Sequence, residues 1–333
     1  SAGGTVGTTI GAIAALIFIL IMYDKLDYEG KAEIEDKSEK QISNKKILRK
    51  LLFYGVPIIM VAGLQNAGGL VDTINVKARL LAAGFSNAES RRLYGVLGYY
   101  NTLLNVPFAL VTALSAAVFP KIIQAYIQKN RKELKSQMAY SFKITYLITI
   151  PAAVGLSMLS KDIYVMLFNT TDGYEMLKYG SIVLIFMSIS AIQNIILQGI
   201  NKVYLVLSTA FLSIMLKFII NYFLVAIKDI NILGAIFASF FAFLVPVIIN
   251  HKRLKRIFKM KIRVFMALGI FIFRIPIDRI VNIIGGGRLI TCFIVLILVA
   301  IGGLIYLIAL ILLGGIKKRD LDMISPKLFT LLP

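Results

Sequence analysis

Apolar runs long enough to cross a bilayer fill most of this chain, and short polar segments separate them. A spanning helix needs about 20 mostly apolar residues. Nine stretches meet or approach that length: 3–22, 50–74, 95–118, 139–159, 176–198, 203–225, 232–249, 263–284 and 289–314. Backbone polar groups find no water in lipid, so each stretch must satisfy its own hydrogen bonds as a helix. A barrel would show short strands of alternating polarity, and these runs are continuous. The pattern predicts an all-α, polytopic integral membrane protein of about nine transmembrane helices.

The polar segments divide the chain. One helix (1–22) is followed by a linker over 23–48 that mixes Asp24, Asp27, Glu29, Glu33, Glu35, Asp36 and Glu39 with lysines. Such a segment is expected to be solvated and partly helical. A six-helix block follows over 49–250. The basic stretch that starts at His251 then leads into a helix pair within 251–316, and 317–333 forms a tail. The segment Lys121–Gln137 places apolar residues at helical spacing among lysines. It reads either as an amphipathic helix on an anionic leaflet or as a simple basic loop.

Charge adds orientation. Of 37 Lys and Arg residues, 25 fall in one alternating set of gaps and 8 in the other. This asymmetry places 23–48, 119–138, 250–262 and the C-terminal tail in the cytoplasm. It also explains the net charge of +20 without nucleic acid, because the basic residues are spread over short loops. Helix 1 would then run from outside to inside. It opens as Ser1-Ala2-Gly3-Gly4 with no basic flank, unlike a signal peptide, and the chain is expected to lack an N-terminal portion. Cys292 and His251 are each the only residue of their type, so no disulfide framework or cysteine-based metal cluster is expected. Neither a phosphate-cradling glycine loop nor a catalytic triad is present. The pattern disfavours an enzyme and implies no cofactor.

Candidate chemistry lies in polar stripes on otherwise apolar helices. Gln65, Gly68, Asp72 and Asn75 share one face of the 50–74 helix. Asn101, Asn105, Thr112 and Ser115 share a face of the next, and Ser190, Asn194, Gln198 and Asn201 share a face of 176–198. Such stripes either knit helices together or line water. Asp72 reads as an interfacial acid paired with Lys77 or Arg79, or as a residue that binds substrate or a coupling ion. Lys217 lies near the middle of 203–225, with Ser213 and Asn221 one turn to either side. A lysine at that depth costs about 2.5–3.5 kcal/mol on insertion scales. It needs an acid from another helix, backbone carbonyls or an anionic substrate. Pro57, Pro107 and Pro151 interrupt helix hydrogen bonding and are candidate hinges.

The motifs Tyr54-Gly55-Val56-Pro57, Val71-Asp72-Thr73, Tyr94-Gly95, Asn105-Val106-Pro107 and Ala117-Val118-Phe119-Pro120 occur in order along the chain. Gln198-Gly199-Ile200-Asn201-Lys202, Lys217 with Asn221, and the tail from Gly314 to Leu321 follow. In this order the chain resembles the multidrug/oligosaccharidyl-lipid/polysaccharide exporter superfamily. Within it, the stage V sporulation protein B branch of polysaccharide and lipid-linked oligosaccharide flippases is most similar. The resemblance implies fourteen helices in two six-helix lobes plus a final pair, of which this chain would hold the last nine. Residues 1–22 would then close an N-terminal lobe that partners 49–250. It implies a multi-pass protein of the bacterial plasma membrane that flips an undecaprenyl-linked sugar precursor, with lipid II for peptidoglycan as the leading candidate, by alternating access. Membrane lipids would be further partners. Membrane potential, worth about 2.3 kcal/mol per charge per 100 mV, or a monovalent cation would bias the cycle. Lipid II flippases carry an arginine where this chain has Tyr99-Tyr100-Asn101, so head-group recognition would shift to Lys217 and to arginines such as Arg79. Two other readings stay open: a cation-coupled multidrug antiporter of the same superfamily, in which Asp72 would dominate, and a non-transporting scaffold for envelope assembly.

Overall fold

The computed structural model describes residues 2–25 and 43–258. The final helix pair expected within 251–316, the tail 317–333 and most of the linker 23–48 lie outside the described residues. Among the described residues every regular element is helical, in keeping with an all-α polytopic membrane protein. The chain divides into two units, Ser1–Gly55 and Val56–Pro333. The first holds α1 (Ala2–Lys25) and the opening turns of α2 (Asn44–Val71).

In the second unit α2 passes into a π-helical turn, Asp72–Val76, and then into the short α3 (Lys77–Ala82). Next come α4 (Asn87–Ile127), α5 (Arg131–Met158), α6 (Ser160–Phe168), α7 (Tyr174–Gly180), α8 (Val183–Gly199), α9 (Val203–Leu224) and α10 (Leu233–Phe258). Five helical stretches are long and apolar enough to cross a bilayer: Lys45–Ala82, Asn87–Ile127, Arg131–Met158, Val203–Leu224 and Leu233–Phe258. A sixth span is broken, because α7 and α8 meet at a 52° bend. The helix expected over 176–198 is therefore two pieces.

α8 is the hub. It packs against α4, α5, α9 and α10, and it buries Leu184, Ile192, Ile196 and Leu197 completely or nearly so. Two apolar cores flank it. One gathers Leu80, Tyr100, Tyr164, Leu177 and Leu184 near α6 and α7. The other gathers Val111, Ile122, Met138, Ile192, Ile196 and Leu254. By contrast, the α2 residues from Val56 onward turn Ile58, Ile59, Met60 and Leu70 outward, as befits a face solvated by lipid tails.

The segment Lys121–Gln137 differs from both sequence expectations. It is neither a separate surface helix nor a long loop. α4 continues to Ile127 because Ile122 and Ala125 extend its buried face. The chain reverses at Lys129, whose φ of 52° lies in the left-handed region. The Asn130 side chain accepts the Glu133 N–H at 3.0 Å and opens α5, an N-cap that satisfies an otherwise unpaired donor. The helices run on through Pro57, Pro107, Pro120 and Pro151. In these positions proline removes one hydrogen bond without ending the helix.

Candidate functional site

The polar positions of α2 and α9 converge at the π turn. Lys217 Nζ donates to Asp72 Oδ2 at 2.6 Å and to the Gly68 carbonyl at 3.1 Å. Asn221, one turn along α9, donates to the other carboxylate oxygen of Asp72 at 3.0 Å. Asn75 donates to the Phe218 carbonyl at 3.0 Å. The side chains of Lys217 and Asp72 are 12% and 5% exposed, so this ion pair is almost dry. Its energetics follow from that: isolated buried charges are expensive, and loss of either partner leaves the other uncompensated.

Local geometry explains the convergence. A π turn inserts a residue into the helical register and often marks functional positions. Here it directs both Asp72 and Asn75 towards α9, and both are buried. Thr73, between them, faces away and shares a 2.8 Å hydrogen bond with the Tyr94 hydroxyl of α4. Gly68 lies directly against the Lys217 side chain, where a Cβ would make an ordinary 3.7 Å contact with Nζ. One residue beyond Asn221, the Tyr222 ring lies under the Arg79 guanidinium at 4.2 Å. This cation–π contact ties α3 to α9 next to Asn221. One reading of the sequence pairs Asp72 with Lys77 or Arg79, and Lys217 is expected to need an acid from another helix, backbone carbonyls or an anionic substrate. The structure instead pairs Asp72 with Lys217, because the π turn points Asp72 across to α9.

The remaining candidates are distributed elsewhere. Asn194 of α8 joins a second cluster, where the Asn250 side-chain amide donates to Asn194 Oδ1 at 3.3 Å and to Thr209 Oγ1 at 3.5 Å. Nearby, Gln193 donates to the Val247 carbonyl at 3.2 Å and Arg253 to the Leu205 carbonyl at 3.1 Å. Asn101 is half-buried and Asn105 exposed on α4, and Gln198 is half-buried at the end of α8. Gln65 lies on α2, but its side chain is outside those described. Thr112 and Ser115 return their hydroxyls to carbonyls of their own helix, at 2.8 Å each. Tyr99 stacks on Phe168 with centroids 4.1 Å apart, and the Tyr100 hydroxyl donates to the Gly180 carbonyl at 3.0 Å, so both tyrosines are spent on packing against α6 and α7.

Sequence reasoning missed Gln193 and Asn250. Asn250 fell at the boundary drawn for the 232–249 helix, just before the basic stretch. Gln193 lies beside Asn194, off the stripe that drew notice. Among the described residues no group of three or more His, Cys, Asp or Glu side chains is arranged to hold a metal.

Comparison with known proteins gives these elements a context. The family described as lipid II flippase MurJ matches residues 2–300. The lipid II flippase MurJ of Bacillus subtilis (strain 168) is 24% identical over 332 residues, covering 94% of this chain and 61% of the relative. An uncharacterized membrane protein, YabM, of the same organism is 26% identical over 219 residues, or 66% of this chain and 41% of the relative. Stage V sporulation protein B, also from that organism, is 18% identical over 266 residues, or 79% and 51%. The chain thus spans between about two-fifths and three-fifths of the length of these curated relatives.

Proposed function

Since the chain belongs to the lipid II flippase MurJ family, we propose that it serves in moving an undecaprenyl-linked sugar precursor across the plasma membrane by alternating access. Lipid II or a related lipid-linked oligosaccharide is the substrate in this reading. The observation that carries it is the family match over residues 2–300. The convergence of α2 and α9 on a dry ion pair supports it, because alternating access needs contacts between helices that can be made and broken as units.

The Asp72–Lys217 pair acts as a latch in this account. α2 is exposed along most of its described length past Gly55, and it meets α9 at the π turn. Contact of Lys217 with a substrate diphosphate, the role expected from sequence, would first require this latch to open. The latch makes the state seen here the closed state of that contact.

The test is complementation. Cells depleted of their own lipid II flippase receive the whole protein, and an impermeant enzyme that degrades the lipid-linked precursor reports what reaches the outer leaflet. The expected result is restored growth and restored access of the enzyme to its substrate. Normal membrane insertion with no precursor at the outer surface would overturn the reading. Within the same assay Lys217→Arg should keep partial activity and Lys217→Ala should lose it, since charge survives in the first without the compact ammonium geometry.

A further inference from the structure

We infer that Lys217 is a resident cation: its ammonium fills an oxygen-lined cradle between α2 and α9 that would otherwise take a free monovalent metal ion. Two oxygens of the kind a hard cation prefers contact the ammonium directly. Asp72 Oδ2 lies at 2.6 Å and the Gly68 carbonyl at 3.1 Å from Nζ. Asn221 braces the same carboxylate through its amide N–H at 3.0 Å. Its own Oδ1 is buried and has no hydrogen-bond partner among the described residues, a spare acceptor on the side chain that braces the carboxylate. Lys217 is attached to α9, and the cradle's backbone oxygen and carboxylate come from α2 and its π turn. The cradle is therefore split between two elements, as a site that couples occupancy to helix approach must be.

Charge fixes the valence. The cradle holds one carboxylate, and burial makes an uncompensated carboxylate costly. While the pair is closed, a tethered ammonium neutralises it at every ion concentration. A chain with a neutral residue at 217 would have to recruit a single positive charge from solution. The consequence is that this protein closes α2 onto α9 without exchanging a metal ion at this place. This gives the proposed transport cycle a specific form and rests on the flippase reading only for that meaning. The test below reads ion binding, so a failed flipping assay and a failed ion response are distinct outcomes.

The whole protein, purified in detergent, is unfolded by heat at constant ionic strength while choline chloride is replaced by lithium, sodium or potassium chloride. The wild type should show no saturable shift of its midpoint with any of the three. Lys217→Ala should be less stable in choline and should regain several degrees, saturably, with at least one of the metal ions, as linkage requires of a ligand that binds only the folded state. The double variant Asp72→Asn/Lys217→Met, which has neither charge, should be stable and indifferent to all three. A saturable metal response of the wild type that persists in the double variant would place the binding elsewhere and, with no added response in Lys217→Ala, overturns the inference. Absence of any ion response in Lys217→Ala overturns it as well.

Discussion

α9 carries two polar clusters, and they differ in kind. At Lys217 and Asn221 the cluster is charged, and it reaches across to the π turn that ends α2. At Thr209, eight residues and about 12 Å back along the helix, the cluster is built on side-chain amides and a hydroxyl, and it joins α8 and α10. α8, α9 and α10 are already packed on one another through apolar surface. α2 past Gly55 has little such support, with Val61 its buried apolar side chain. The same chemistry thus does different things in two places. Where packing already holds the helices, a polar bond tunes the fit. Where packing is thin, it carries the contact, and a contact carried by a few bonds can be opened.

The strongest way to break this comparison is to strand one charge. Asp72→Ala leaves the Lys217 ammonium buried with the Gly68 carbonyl as its remaining partner. Removing one member of a buried pair typically costs about 3–5 kcal/mol. The unfolding midpoint and the amount of protein in the membrane should both fall. The neutral double variant Asp72→Asn/Lys217→Met should recover most of that stability while flipping stays lost. Equal stability of Asp72→Ala and wild type would show that the pair does not carry the α2–α9 contact.

A second variant sharpens the other side of the comparison. The hold of α10 on α9 rests on close backbone approach at the turn between them. A Cβ on Gly234 would lie 2.8 Å from the backbone carbon of Leu224 and from the nitrogen of Val225, and backbone atoms cannot rotate away. Gly234→Ala should cost about 1–3 kcal/mol, the usual range for overpacking. Gly63→Ala, where a Cβ meets nothing within 4 Å, should be neutral or stabilising by up to about 1 kcal/mol through helix propensity. Thermal unfolding of the two variants side by side checks both.

These contrasts also mark what was legible in the sequence. The spans were, because about 20 apolar residues in lipid admit little but a helix. Lys217 was legible as a residue in need of a partner, because its burial cost is independent of the fold. Which acid would answer it was not. Asp72 has nearer cations in sequence, Lys77 and Arg79, and a π turn leaves no signature in a hydrophobic run. The break between α7 and α8 was hidden for the same reason, since Gly180-Ser181-Ile182 continues the apolar pattern. The stripe on α4 can be seen from spacing, yet spacing does not reveal that Thr112 and Ser115 bond their own helix. Polar residues on a helix face state a need, and only the neighbouring helices state how it is met.

The smallest effect is expected at the second cluster, from Asn250→Leu. Asn250 makes two long hydrogen bonds, at 3.3 and 3.5 Å, and its own Oδ1 is buried with no partner among the described residues. The substitution forfeits the two bonds and at the same time removes a buried, unsatisfied acceptor. Thr209 keeps its hydroxyl bonds to the Leu205 and Val206 carbonyls, each at 3.1 Å. Asn194 is half-buried, so its amide is not sealed in the core. Arg253 still holds the Leu205 carbonyl, so α10 and α9 stay joined at this end. A leucine keeps the branching of asparagine at Cγ, is somewhat larger, and contributes apolar contact to the core that contains Leu254 and Ile196. Replacing a poorly satisfied polar group by an apolar one of similar shape is often nearly neutral, so stability should change by no more than about 1 kcal/mol in either direction and precursor flipping should persist. The measurement is thermal unfolding together with complementation of flippase-depleted cells. A loss as large as that of Asp72→Ala would mean that the two clusters are equivalent, and that α8, α9 and α10 depend on their polar bonds as much as α2 does.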